Sequence, residues 1–291
     1  SILINKNYEV HGISRKKNYK NLDKLKIKNK IKKYIVKSNN EKKITDILNK
    51  GFDEVYFLGG QSSVKESFTL IEETYDSQIK PAKIILNYIF NKKQNKTKFL
   101  YAASSEIFGR KKKKKKLTEN DPKEPLSPYA LSKLISFEII KDFRNTYKLP
   151  VCSAILFNHE SSLRPKNYVL KKISLAIKDI KENKIKKIKL GDINIKRDWG
   201  WSEDYMNACH MILSQNKIDD YIIATGKTIS LKKILQIGLK NQKHNWQKYI
   251  KIDKKLFRKF EIKENYADIS KIKKNLNWQP KLNYKDIIFK I

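Results

Sequence analysis

The chain of 291 residues is long enough for one large core, or a core with a smaller lobe, and its 40% hydrophobic and 11% aromatic content excludes a disordered polymer. No apolar run approaches the roughly 18 residues of a membrane-spanning helix. The net charge of +35 is compatible with a polyanion partner, but lysines are scattered along every segment and Ile and Asn are overused with them, which favours compositional drift and a solvated basic surface over a nucleic-acid site.

Residues 1–6 read as the end of a helix, without the basic leader or cleavage pattern of a signal peptide. Residues 8–13 read as a strand, followed by the basic Arg15, Lys16 and Lys17. A short strand is expected over 34–37, a helix over 41–50 and another strand over 53–58. Gly59-Gly60-Gln61-Ser62-Ser63-Val64 follows at once as a glycine turn. The stretch 72–90 is helical, with a kink expected at Pro81. The apolar run Phe99-Leu100-Tyr101-Ala102-Ala103 reads as a buried strand that ends in Ser104-Ser105-Glu106. Arg110 with residues 111–116 forms a basic, solvated loop. Pro128 suits the first turn of a helix reaching Tyr147, with Leu134, Ile135, Phe137, Ile140 and Phe143 as its apolar face. Buried strands follow over 151–156 and 221–226, and the alternation of strand and helix predicts an α/β fold on a parallel sheet. Cys152 and Cys209 have neither metal nor redox spacing, so no metal is expected and reduced thiols point to the cytoplasm.

Tyr129 and Lys133 stand four apart on one helical face. An ammonium beside a phenol favours the phenolate, which makes Tyr129 a candidate base. A hydroxyl at the preceding strand end, Ser104, is suited to hold the oxygen that Tyr129 deprotonates.

These residues resemble the extended short-chain dehydrogenase/reductase family, and within it the GDP-mannose 4,6-dehydratases, over residues 8–280. The resemblance is also carried by Asn158-His159-Glu160-Ser161 with Arg164, by Arg197-Asp198-Trp199-Gly200 with Asp204-Tyr205, and by Leu276-Asn277-Trp278-Gln279-Pro280. It implies a Rossmann-type, doubly wound parallel sheet over 1–157 and a smaller, mainly substrate-binding lobe over 158–291, with some segments returning to the first domain. It implies NADP as cofactor, touched by Arg15, Lys16, Leu58, Gly59, Gly60, Gln61, Ser62, Lys133, His159 and Arg164. GDP-mannose is the implied substrate, with Asn158, Lys172, Arg197, Arg258 and Glu261 as its contacts. The implied reaction is a lyase reaction: transient oxidation at C4 with Tyr129 as base, Lys133 beside it and Ser104 on the C4 oxygen, then removal of the C5 proton by Glu106 and loss of water from C6. A homo-oligomer, dimer or tetramer, is implied, with neither nucleic acid nor membrane as partner. The sequence departs from the family at Lys37, where an adenine-contacting Asp is usual. No G-x-x-G-x-x-G occurs, and the first strand with its phosphate-cradling turn is expected before residue 1. On that ground the chain alone is expected to bind NADP poorly and to expose unpaired strand edges, and an inactive copy of the enzyme is the alternative reading.

Overall fold

The computed structural model describes residues 1–92, 96–110, 115–240, 246–257 and 260–291. In chain order the first elements are α1 (Ile2–Asn5), β1 (Val10–Ser14), α2 (Lys20–Lys24), β2 (Ile31–Ile35), α3 (Glu41–Leu48), β3 (Glu54–Phe57) and α4 (Ile71–Asn91). Then come β4 (Lys98–Ser104), α5 (Pro128–Tyr147), β5 (Val151–Leu156), β6 (Asn158–Glu160), α6 (Val169–Lys181), β7 (Ile188–Leu190) and β8 (Lys196–Trp201). The last are α7 (Ser202–Leu213), β9 (Tyr221–Ile223), β10 (Thr228–Ser230), α8 (Leu231–Gly238), β11 (Ile250–Ile252), α9 (Ser270–Leu276) and α10 (Tyr284–Lys290). The chain divides into two compact units. The first comprises Ser1–Ile107, Lys123–Ile155 and Cys209–Tyr221; the second comprises Phe108–Pro122, Leu156–Ala208 and Ile222–Ile291. Among the described residues no helix is long and apolar enough to cross a membrane.

Two sheets begin in the first unit, which holds β1–β4 and β5 up to Ile155; β9 starts on its last residue, Tyr221. β1 pairs with β2, from Val10↔Ile31 to Ser14↔Ile35. This register starts the second strand at Ile31, three residues earlier than its apolar run suggests, and Val36 N adds one further bond to Ser14 O at 2.9 Å. The other sheet has the order β3-β4-β5-β9. Among the described residues β1 has only β2 as neighbour and β3 only β4, so each keeps one unpaired edge. Burial follows pairing: β3 is half-buried at every residue, whereas β5 is buried throughout and β4 from Phe99 onward. Ile13 and Leu58, at the ends of β1 and β3, stay exposed.

α5 starts where Pro128 stands at the first helical position and the Ser127 hydroxyl accepts from Ala130 N. It ends at Lys148 in the left-handed region, just before Pro150. Its buried face is Ala130, Ser132, Lys133, Ser136, Phe137 and Ile140, while Leu134, Ile135 and Phe143 are only half-buried. The small serines replace part of the expected apolar face because α5 packs closely on α4: Ser136 Oγ donates to the carbonyl of Gln78 at 3.3 Å. α4 runs unbroken through the buried Pro81.

The second unit is built on β6, parallel to β8, with β10 antiparallel on the other side of β8, and on the separate parallel pair β7 and β11. α6 buries Leu170, Ile173, Ile177 and Ile180, spaced for one helical face, against Ile234 and Leu235 of α8, Ile288 of α10 and Trp199 of β8. α6 and α8 approach so closely that a methyl group at Gly238 would lie 2.2 Å from Ile177 Cδ1. Trp278 Nε1 donates to Asp204 O at 3.2 Å, and the Asp204 carboxylate accepts from Lys281 N and Leu282 N. This ties α7 to the chain after α9, whose end at Asn277 takes the left-handed conformation for which glycine is the usual residue.

Candidate active site

β4 and α5 assemble the Tyr–Lys pair. Lys133 is 5% exposed. Its Nζ donates to Ala102 O at 2.7 Å and lies 4.8 Å from the Tyr101 ring centre and 5.9 Å from that of Tyr129. Burial pushes the Lys133 ammonium down to about 7, because a carbonyl and ring faces replace its hydration only in part. Ala102 lies two residues before Ser104 on the same strand face. Ser104 is buried at the strand end, and its Oγ accepts from Glu106 N at 3.3 Å. Tyr129 and Glu106 are half-buried. The structure thus groups Tyr129, Lys133 and the end of β4 in the first unit.

The turn after β3 is held from α4. Gln61 N donates to Ser77 Oγ at 2.9 Å, and Gln78 Nε2 donates to Gln61 O at 2.7 Å. Gly60 has φ +105°, and a Cβ there would lie 2.4 Å from Gln78 Nε2, so this position requires glycine on both counts. Tyr101 OH donates to Gln78 Oε1 at 3.4 Å, which connects the turn to the ring beneath Lys133. Ser77, Gln78 and Tyr101 escape a sequence reading because buried polar groups on an apolar stripe carry no periodic signal. Leu58, Gly59 and Ser62 are exposed, with Leu58 at 50%. Arg15 and Lys16, past the end of β1, are exposed as well, and Arg15 donates to Glu73 at 2.7 Å.

In the second unit β8 carries a buried cation. Arg197, 3% exposed, donates from Nη2 to Glu261 Oε1 at 2.6 Å and from Nη1 to Lys196 O at 2.8 Å. The neighbouring Asp198 accepts from Thr225 N, Thr225 Oγ1 and Lys227 N. Burial pushes its carboxyl up to about 6 even against these bonds. Gly200 is required by Tyr205, whose ring a Cβ would meet at 2.2 Å. His159, in register with Gly200, lies 5.1 Å from that ring, and its Nδ1 is 2.9 Å from Phe157 O. Burial holds the His159 imidazole below its usual range and keeps it neutral. The Asn158 carbonyl accepts from Tyr205 OH at 3.5 Å, and Lys172 Nζ donates to Lys189 O at 2.7 Å. Arg164 lies 3.3 Å from the Glu160 carboxylate, with its guanidinium carbon 3.7 Å from the Tyr168 ring centre. Arg258 lies outside the described residues, as do 111–114 of the basic run. Among the described residues no group of three metal-ligating side chains comes together.

This arrangement sets a phenol beside a buried lysine in one unit and carries a buried Arg197 and a half-buried Arg164 in the other. A family model described as GDP-mannose 4,6 dehydratase matches residues 1–291. A GDP-mannose 4,6 dehydratase of Arabidopsis thaliana is 33% identical over 301 residues, covering 98% of this chain and 82% of the relative. The human GDP-mannose 4,6 dehydratase is 31% identical, with 98% and 84% covered. Among solved structures, Pal from Bacillus thuringiensis superposes with a TM-score of 0.86 at 21% identity, covering 99% of this chain and 91% of that one. The dTDP-glucose 4,6-dehydratase of Bacillus anthracis in complex with NAD gives 0.84 at 18%, with 99% and 88% covered. At these identities the solved structures speak for the fold.

Proposed function

The chain belongs to the GDP-mannose 4,6 dehydratase family, and from that premise we propose that it converts GDP-mannose to GDP-4-keto-6-deoxymannose with NADP as its cofactor. The observation that carries the chemistry is the buried Lys133 beside the Tyr129 ring at the end of β4. Tyr129 takes the proton from the C4 hydroxyl, and a charged Lys133 stabilises the phenolate that does so. Ser104 Oγ holds the C4 oxygen. Once C4 is a ketone the C5 proton is acidic. Glu106 takes that proton and passes it to the departing C6 hydroxyl, which leaves as water, so this step needs a second acid–base group apart from Tyr129.

The residues present fit a phosphorylated dinucleotide. Arg15 and Lys16 offer exposed positive charge past the end of β1, and the exposed ion pair of Arg15 with Glu73 is weak enough to exchange for a phosphate. The turn of Leu58, Gly59, Gly60, Gln61 and Ser62 is rigidly held, His159 is neutral, and Arg164 has a buried Nε with no hydrogen-bonded partner. When bound, the nicotinamide would take the C4 hydride and return it to C6 after the elimination, and with the proton held by Tyr129 returned to C5 the product is the 4-keto-6-deoxy sugar with no net oxidant consumed. Asn158, Lys172, Arg197, Arg258 and Glu261 are assigned to the sugar nucleotide on the family resemblance, and Arg197 would have to exchange its bond to Glu261 to take a phosphate oxygen.

The test is to incubate the full-length protein with GDP-mannose and NADP and to follow the sugar nucleotide by mass spectrometry. Loss of one water per molecule, abolished in Tyr129→Phe, is expected. No such product with either NADP or NAD would overturn the assignment. Solvent deuterium at C5 tests the second base: Glu106→Gln is expected to stop its uptake, and exchange at the wild-type rate would remove Glu106 from the mechanism.

A further inference from the structure

Glu160 is the last residue of β6 and is only 3% exposed. A carboxylate at that depth needs a positive partner to stay ionised. Its partner is Arg164, one tight turn later, where Arg164 N donates to Ser161 O at 3.1 Å. Arg164 Nε stands 3.3 Å from Glu160 Oε2, facing it without a well-aligned hydrogen bond. The guanidinium carbon lies 3.7 Å from the centre of the Tyr168 ring, at the start of α6. The loop is closed from the helix as well, since Lys171 Nζ donates to Ser162 O at 3.3 Å. One edge of the guanidinium therefore faces a carboxylate and one face lies on a ring. Its two terminal nitrogens have no hydrogen-bond partner among the described residues, and the side chain is 29% exposed.

We propose that Glu160 and Tyr168 are positioning residues that hold Arg164 as a preset two-pronged receptor, its terminal nitrogens presented to a phosphate group of the bound dinucleotide. A guanidinium ion-paired at one edge and set against a ring has fewer rotamers to lose when the ligand arrives. Its outer pair of N–H donors has the spacing of two phosphate oxygens. The proposal rests on the assignment of Arg164 to the cofactor. It adds the role of Glu160, a carboxylate that by charge alone opposes an anion nearby. Burial pushes the Glu160 carboxyl up to about 7, while Arg164 and Lys171 pull it back. Its hold on Arg164 is therefore complete above that pH and is lost as pH falls below it.

The test is calorimetric titration of the full chain with NADP, NAD and GDP. Arg164→Ala is expected to weaken NADP binding about 10- to 100-fold, the range of a charge-assisted pair of hydrogen bonds, and to leave GDP binding unchanged. Unchanged NADP affinity, or an equal loss for GDP, would show that Arg164 does not serve the cofactor and would remove the premise. NAD separates the phosphates: a loss for NADP alone marks the 2′-phosphate, and an equal loss for NAD marks the diphosphate, both within the proposal. Glu160→Gln and Glu160→Ala are expected to weaken NADP binding about 3- to 10-fold, with partial rescue by Glu160→Asp. Tyr168→Ala should do the same, while Tyr168→Phe retains the ring and the affinity. The advantage of wild type over Glu160→Gln should disappear as pH is lowered from 8 to 6. If Arg164→Ala weakens binding but both Glu160 variants bind NADP as well as wild type or more tightly, simple repulsion governs the site and the positioning role is wrong.

Discussion

Lys133 in the first unit and Arg197 in the second are sealed from water to almost the same degree, at 5% and 3% exposure, and respond in opposite ways. Among the described residues no carboxylate pairs with Lys133; a carbonyl and two rings surround it, and its ammonium is pushed down to about 7. Arg197 has the Glu261 carboxylate at 2.6 Å and a group that stays protonated at any ordinary pH. Burial alone does not decide whether a cation keeps its charge; its partners and its intrinsic basicity do. A lysine poised between its two forms suits a place where a proton moves during turnover. A permanently charged fork with a carboxylate partner keeps its charge through burial.

The largest expected effect breaks the first half of this comparison. Lys133→Met should lower product formation by about 10²- to 10⁴-fold, the scale of a lost acid–base contribution, measured by mass spectrometry of the sugar nucleotide. Its stability should carry a pH signature. The Lys133 pKa in the folded chain, about 7, lies below the ordinary 10.5, so the cost of burying its charge is complete below pH 7 and fades as pH rises toward 10.5. Urea unfolding should show wild type gaining on the variant, by on the order of a few kcal/mol, between pH 7 and 10. A constant difference across that range would show that Lys133 stays charged.

Arg197→Met tests the other half. It should destabilise the fold by about 3 kcal/mol, since the half-buried Glu261 carboxylate loses a buried guanidinium, and no gain relative to wild type should appear between pH 7 and 10. GDP affinity, read by calorimetry, should fall in the same variant; retained affinity would take Arg197 out of the substrate site. Gly200→Ala and Gly60→Ala then compare the supports behind the two cations. Each should lose about 1–3 kcal/mol in urea unfolding. Gly200→Ala acts by collision with the rigid Tyr205 ring alone, whereas Gly60→Ala adds backbone strain at φ +105° to a collision with the end of the Gln78 side chain. The smallest effect is expected for Arg15→Ala, a loss of about 1 kcal/mol in NADP binding with NAD unaffected, because Arg15 is exposed and already shared with Glu73.

Much of the scaffold was legible in the sequence because local rules and tertiary demands agreed. The apolar run before Ser104 is a buried strand, Pro128 opens the helix that carries Tyr129 and Lys133, and the glycine turn follows β3 directly. Residues were misjudged where contact with a distant segment overrode the local pattern. The second strand begins at Ile31 rather than Tyr34 because pairing with β1 sets its start. Leu134 and Ile135 yield the buried face of α5 to Ser132 and Ser136 because α4 comes close.

Residue type and spacing by themselves determined which chemical groups this chain can bring to a reaction: a Tyr and a Lys on one helical face, a hydroxyl and a carboxyl at a strand end, and arginines in motifs that mark the family. They also determined the alternation of strand and helix, since hydrophobic period is a local property. Only the tertiary structure decided the state of those groups. It placed Lys133 over the Tyr101 ring, gave Arg197 a carboxylate from a residue 64 positions later, and laid Arg164 between Glu160 and Tyr168. The energy of a buried charge depends on dielectric and on neighbours within a few ångströms, and those neighbours come from parts of the chain that no local pattern connects.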